Sequence, residues 1–328
     1  TVYDTAHIGN FRTFLFEDFL KRVLVARGFE VYHVMNITDV DDKTIQKSMT
    51  EGKALSEITD YYTDLFKKDL SFLKIIPADV YPEATKHVDA MVQIIEKLID
   101  KKHAYVTKDG SVFFSIKTYK HYGALTRINM DAMRLSDRVS SDEYSLDNPQ
   151  DFALWKAYKD EDGDASWDSP WGKGRPGWHM ECSAMSMAYL GDHFDIHCGG
   201  VDNKFPHHEN EIAQSVCAVD TPFVNYWLHS EFLLADGGKM SKSLGNFYSI
   251  PDLFKKGFRA EEIRYIMLSA HYRTKVNFTL DKQHEAKVSI RRIQELKLRL
   301  EEMDSEACNG FSTEMEQFNI AIENDLDS

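Results

Sequence analysis

The 328-residue chain lacks any apolar run approaching the roughly 18 residues that cross a membrane. Its longest apolar stretches, such as Ser183–Leu190, are short or interrupted, so no membrane partner is expected. Cysteine is scarce: Cys182, Cys198, Cys217 and Cys308 show no disulfide-framework spacing. That absence points to a reducing compartment, and a cytoplasmic location is the expectation. No secretory segment is visible, and the chain opens at Thr1 without a methionine, as a cut chain would. Basic residues are in deficit, with 39 Lys+Arg against 53 Asp+Glu and a net charge of −14. This argues against a general nucleic-acid coat but permits a local basic patch on a specific RNA enzyme. Internal repeats and low-complexity segments are also missing.

What remains is ordinary globular chemistry: 43% hydrophobic, 28% charged, with 17 Gly and 8 Pro. The length suits two or three domains. Apolar residues at Phe16, Phe19, Leu20, Val23 and Leu24 predict a helix over 11–27, which Gly28 ends. A strand is expected over 29–35, giving the grammar of a parallel α/β layer. Helices are expected over 55–70 and 81–101, and a hairpin over 105–115 around Lys108-Asp109-Gly110. From Tyr119 to Gly174 the sequence is polar and irregular, apart from 152–158. The α/β pattern then resumes, with helices over 180–190 and 209–219, and strands over 194–197 and 227–234. Further helices are expected over 260–269 and 281–304.

Two segments suit phosphate. His7-Ile8-Gly9-Asn10 stands where a helix begins, at unpaired N–H groups and the positive dipole end. His7 can donate to phosphate oxygens, and Gly9 lets a nucleotide approach the backbone. A helix cap is the commoner use of such residues. Lys239-Met240-Ser241-Lys242-Ser243 follows Gly237 and Gly238. Its two lysines can neutralise a departing pyrophosphate, although such a loop alone is usually plain surface. A third constellation suits a metal. Cys182 lies on a predicted helix, and His207 and Glu211 share one helix face if Pro206 opens the next one. Thiolate, imidazole and carboxylate together favour zinc. Each alone could equally be a buried core residue.

The two phosphate segments together resemble the paired signatures of class I aminoacyl-tRNA synthetases. The second matches the KMSKS form unchanged, whereas Asn10 replaces the usual histidine of the first. Asn can donate a hydrogen bond but carries no charge. With Cys182, His207 and Glu211 added, the chain resembles the cysteinyl-tRNA synthetase family. The resemblance implies a Rossmann-type α/β nucleotide-binding domain with an insertion, followed by a mainly helical C-terminal region. The expected divisions are 1–99 with 174–250 as the split catalytic domain, 100–173 as the insertion, 251–280 as a linking region, and 281–328 as the start of a truncated helical tRNA-binding domain. It implies one Zn2+, with a further cysteine ligand upstream of Thr1, and ATP with Mg2+ as substrate.

By resemblance, His7, Asn10, Lys239 and Lys242 are catalytic. His7, Gly9, Asn10, Asp202, Lys239, Met240, Ser241 and Lys242 bind ATP, with Asp202 at the ribose. Thr38, Trp178 and His197 surround the cysteine substrate. The implied reaction forms cysteinyl-adenylate and transfers cysteine to tRNA(Cys), by a monomer with no editing domain. Two alternatives stay open: a ligase of the same superfamily with an amino-sugar acceptor, and a non-catalytic RNA-binding relative. A further helical bundle with an anticodon-reading module would point to tRNA.

Overall fold

The computed structural model describes residues 1–127, 151–241, 245–302 and 312–326. Helix α1 (Ile8–Ala26) starts three residues earlier than its apolar period indicates. The cause is a reciprocal cap: His7 Nδ1 accepts from Gly9 N–H at 3.1 Å, and His7 N–H donates to Asn10 Oδ1 at 3.1 Å. The strand expected over 29–35 is instead an extended segment with isolated parallel bridges, Val34 to Val80 and Ile37 to Glu83. Its partner segment contains Pro82, which has no N–H to continue a ladder.

Helix α2 (Asp42–Glu51) has only two apolar residues, Ile45 and Met49 one turn apart, and is bounded by its caps. Thr44 N–H donates to Asp41 Oδ1 at 2.7 Å, and Gly52 closes it in a left-handed conformation. Helix α3 (Leu55–Phe72) follows as expected. The helix expected over 81–101 begins only at Val88, as α4 (Val88–Asp100), because the bridge at Glu83 holds the start extended and Ala84–Lys86 form a separate 3-10 turn.

Strands β1 (Ala104–Val106), β2 (Val112–Phe114), β3 (Phe152–Ala157) and β4 (Gly174–Pro176) form one antiparallel sheet in that order. The 174–176 segment therefore pairs with β3. Phe114 and Phe152 stack at 5.0 Å between centroids and are fully buried. Burial of such a ring contributes about 1.5–3 kcal/mol. Directly after β4, Gly177 lies so close to the Ala153 carbonyl that a side chain could not fit, and α5 (Trp178–Leu190) starts there.

Strand β5 (Phe194–Gly200), helix α6 (His207–Val219) and strand β6 (Val224–Ser230) form a parallel β–α–β unit. The single strand expected over 227–234 is two strands in different sheets. Ser230 ends β6, and β7 (Leu233–Ala235) pairs in parallel with β8 (Val276–Phe278). Helices α7 (Ile250–Lys255), α8 (Ala260–Leu268), α9 (Lys282–Glu302) and α10 (Ser312–Glu323) complete the described elements. One core joins α4, α5 and α6 to the antiparallel sheet, and a second joins α1 to α8, β7 and β8. Helices α5 and α6 thus belong to the first core, and α1 to the second. No described helix is long and apolar enough to cross a membrane.

Candidate active site and metal cluster

The first turn of α1 meets the Lys239–Ser241 loop that follows β7. His7 bridges Ser249, Ile8 N–H donates to the Tyr248 carbonyl at 2.9 Å, and Phe247 packs edge-on against the His7 ring. The methyl of Met240 lies directly against Gly9, where a side chain would collide with it. Sequence reasoning assigned that missing side chain to nucleotide approach; it also makes room for Met240. Asn246, on the far side of the loop, donates to the carbonyls of Ala235 at 3.0 Å and Lys239 at 3.2 Å. It accepts from Ser241 N–H at 2.8 Å. Lys242 lies outside the described residues.

Asp202 sits on the turn after β5, packed under Gly200. Burial pushes the His7 pKa down, with its own backbone and then Asp202 opposing. His7 thus lies within electrostatic reach of Asp202, which follows the carboxyl end of β5, where ligands of parallel α/β sheets bind. Asn10 spends its side-chain oxygen on the cap described above, leaving its amide nitrogen as the donor end.

The metal constellation closes from two helices. Cys182 comes from α5; His207 and Glu211 come one turn apart on α6, opened by Pro206. Cys182 Sγ is 3.4 Å from His207 Nε2, which is 2.9 Å from Glu211 Oε1. All three are buried, and their ligand atoms lie within 4.8 Å of one another. His207 Nδ1 lies 2.6 Å from His179 Nδ1. With that proton on His207 Nδ1, a tautomer assigned from this contact, Nε2 presents a lone pair to the cluster.

Imidazole, thiol sulfur and carboxylate then converge on one point. Both Glu211 oxygens are buried without a hydrogen bond. Leaving a carboxylate so is costly unless a cation compensates. Burial, then Glu211 and Glu181, push the Cys182 thiol well up. A cation would reverse that direction and deprotonate the thiol. The donor set therefore fits a metal ion.

The predicted amino-acid pocket is partly gathered here. The Trp178 ring lies 4.0 Å from the His207 ring, and His197 Nε2 is 3.6 Å from Glu211 Oε2. Thr38 is buried, with its carbonyl accepting from Val2 N–H at 3.1 Å. Asn36, two residues earlier, is the one whose side chain reaches the cluster, donating to Cys182 Sγ at 3.6 Å. Sequence reasoning gave it no role. It also missed a histidine layer beneath the site: His208 Nδ1 is 2.8 Å from His229 Nε2, and His197, His208 and Glu211 form a second metal-capable group. Burial pushes His229 down to about 4. The doubled His207-His208 was the available signal; nothing local marks His229.

A parallel β–α–β unit, a helix capped by His7 and a lysine loop packed against Gly9 are the parts of a class I aminoacyl-tRNA synthetase catalytic fold. Comparison with a solved structure agrees: Mycobacterium tuberculosis methionyl-tRNA synthetase, in complex with methionyl-adenylate, superposes with a TM-score of 0.64 at 12% identity. That match covers 86% of this chain and 65% of the other. The family described as "tRNA synthetases class I (C) catalytic domain" matches residues 1–288, and the chain belongs to it. Cysteine–tRNA ligase of Chlamydia muridarum (strain MoPn / Nigg) is 52% identical over 338 aligned residues, covering 99% of this chain and 70% of that protein. Cysteine–tRNA ligase of Brachyspira hyodysenteriae (strain ATCC 49526 / WA1) is 50% identical, with 99% and 71% covered.

Proposed function

We propose that the chain is a cysteine–tRNA ligase, which converts cysteine and ATP to cysteinyl-adenylate and passes the cysteinyl group to tRNA(Cys). The observation that carries this reading is the thiol–imidazole–carboxylate cluster beside a nucleotide crevice. The half-identical relatives, which span nearly the whole chain, favour tRNA over an amino-sugar acceptor.

The chain's own residues have distinct tasks. The α1 N-terminus and His7 hold the phosphates, and Asp202 accepts from the ribose. Lys239 and Lys242 stabilise charge as pyrophosphate departs, and Met240 and Ser241 shape the loop around it. The substrate carboxylate attacks the α-phosphate, so no side-chain nucleophile is needed: orientation and charge placement suffice. The tRNA ribose hydroxyl then attacks the activated carbonyl.

Cys182, His207 and Glu211 hold Zn2+ in this reading, with a fourth ligand from upstream of Thr1. Bound zinc supplies a soft partner for the substrate thiolate. Trp178, His197 and Thr38 enclose the amino acid, and Asn36 orients Cys182. Size selection alone separates cysteine from serine or alanine by only ~1–3 kcal/mol. Sulfur recognition makes hydrolytic editing unnecessary. We assign 251–280 to linking the loop to the helical region, and 281–328 to the start of a tRNA-binding region. Catalytic segments 1–99 and 174–250 flank the insertion 100–173.

The test is exchange of pyrophosphate into ATP, with cysteine, serine or alanine supplied, followed by transfer to tRNA(Cys). Cysteine-dependent exchange and charging are expected. Equal exchange with serine, or exchange without charging, would defeat the reading.

A further inference from the structure

Helices α5 and α6 are joined by a buried polar clasp that flanks Cys182 on α5 and lies about one turn past Glu211 on α6. Gln214 Nε2 donates to the His179 carbonyl at 2.5 Å and to Ser183 Oγ at 2.7 Å. Ser215 Oγ donates to the same Ser183 oxygen at 2.8 Å. Gln214, Ser183 and Ser215 are fully buried, amid small or apolar neighbours such as Ala184, Ala213 and Ala218. Gln214 Oε1 finds no hydrogen-bond partner there. An apolar side chain would avoid that cost, so stability alone does not explain the amide.

We infer that Gln214 is a positioning residue that sets the register of α5 on α6, and through it the distance from Cys182 to His207. This inference rests on the zinc reading above. Apolar helix contacts are not directional and tolerate sliding, whereas hydrogen bonds of this length do not. One residue of slip is about 1.5 Å along a helix axis, enough to open the Cys182–His207 contact. The clasp grips α5 on both sides of that contact. Ser183 adjoins Cys182 in sequence. His179, whose carbonyl Gln214 holds, turns its ring onto the His207 nitrogen that faces away from Cys182. Gln214 thus supports two ligands from two helices without touching either. Buried polar groups are known to fix register in helical assemblies at some cost in stability.

The test uses Gln214→Met, which keeps side-chain volume but removes the donors, and Gln214→Glu, which keeps the shape but not the N–H groups. Zinc affinity is read by competition with a coloured chelator, alongside Tm and KM for cysteine and ATP. In Q214M, zinc affinity is expected to fall roughly 10–100-fold with a Tm near wild type, the scale of lost outer partners. KM for cysteine should rise while KM for ATP stays unchanged. Q214E, held protonated by burial, keeps a single O–H donor and should lose less zinc affinity than Q214M. A folded Q214M that holds zinc as tightly as wild type overturns the inference. If Q214M does not fold, Ser215→Ala removes one arm at little volume cost. It should weaken zinc by about threefold, a fraction of the loss of the whole clasp; unchanged affinity in S215A overturns the inference equally. Absence of zinc from the active wild-type chain would instead defeat the metal reading, a distinct result.

Discussion

The Met240 methyl rests against Gly9, so the lysine loop and the first turn of α1 touch across the phosphate crevice. A β-carbon at Gly9 would also fall 2.9 Å from the His7 ring. Met240 has a flexible end and can retreat, but the ring is tied by its cap. Gly9→Ala should fold normally and lower pyrophosphate exchange roughly 10–100-fold by misplacing His7. If Met240 contributes to the clash, M240A in that background should recover part of the loss, a coupling visible in a double-mutant cycle. Wild-type exchange in G9A would contradict this placement.

Cys182→Ser exchanges a soft ligand for a hydroxyl that stays protonated near neutral pH. Zinc content and cysteine activation should fall together, by more than the roughly 10–100-fold typical of an outer partner. ATP binding at His7 and Asp202 should persist. Metal analysis beside exchange kinetics checks this; full activity in a zinc-free C182S would end the argument.

Asp42 opens α2 and faces Lys156 Nζ at 3.0 Å and Arg175 Nη2, tying α2 to the insertion sheet. Burial pushes its carboxyl up, but Lys156 and Arg175 outweigh burial, so its pKa lies below the ordinary value. A depressed carboxylate contributes stability that is present above its unfolded pKa, about 3.9, and is lost as pH falls through the folded value. The side chain is 49% exposed, so solvent screening limits the effect to about 1 kcal/mol. Asp42→Asn should therefore destabilise the chain at pH 7 by that amount, with the difference shrinking at progressively lower pH below about 3.9. A constant difference from neutral to acid in urea melts would contradict it.

Asp325 anchors the C-terminal helix to the 271–273 turn: Tyr272 donates to it at 2.7 Å, and Arg273 pairs with it at 2.8 Å. Arg12 of α1 holds the same turn through the carbonyls of Ala270 and His271. Asp325→Ala should lower transfer to tRNA about fivefold or more, on the scale of coupling between sites, while leaving adenylate formation near wild type. Equal losses in both steps would contradict a role confined to tRNA placement.

The sequence alone determined the local parts of this protein. The apolar period marked α1, and the four-residue spacing of His207 and Glu211 placed both on one face of α6, because residues one turn apart share a side regardless of surroundings. The lysine loop and the metal-capable trio Cys182, His207 and Glu211 were legible as residue types whose chemistry is intrinsic. Only the tertiary structure decided what meets them. Cys182 joins His207 because α5 packs on α6. Asn36 reaches that sulfur from a segment remote in sequence, and His229 enters beneath it from β6. The 227–234 run split because its ends find partners in different sheets. The 29–35 segment lost its ladder to a proline in a neighbour. Such outcomes depend on the packing of distant side chains and on partner backbone hydrogen bonds, and no local periodicity carries either.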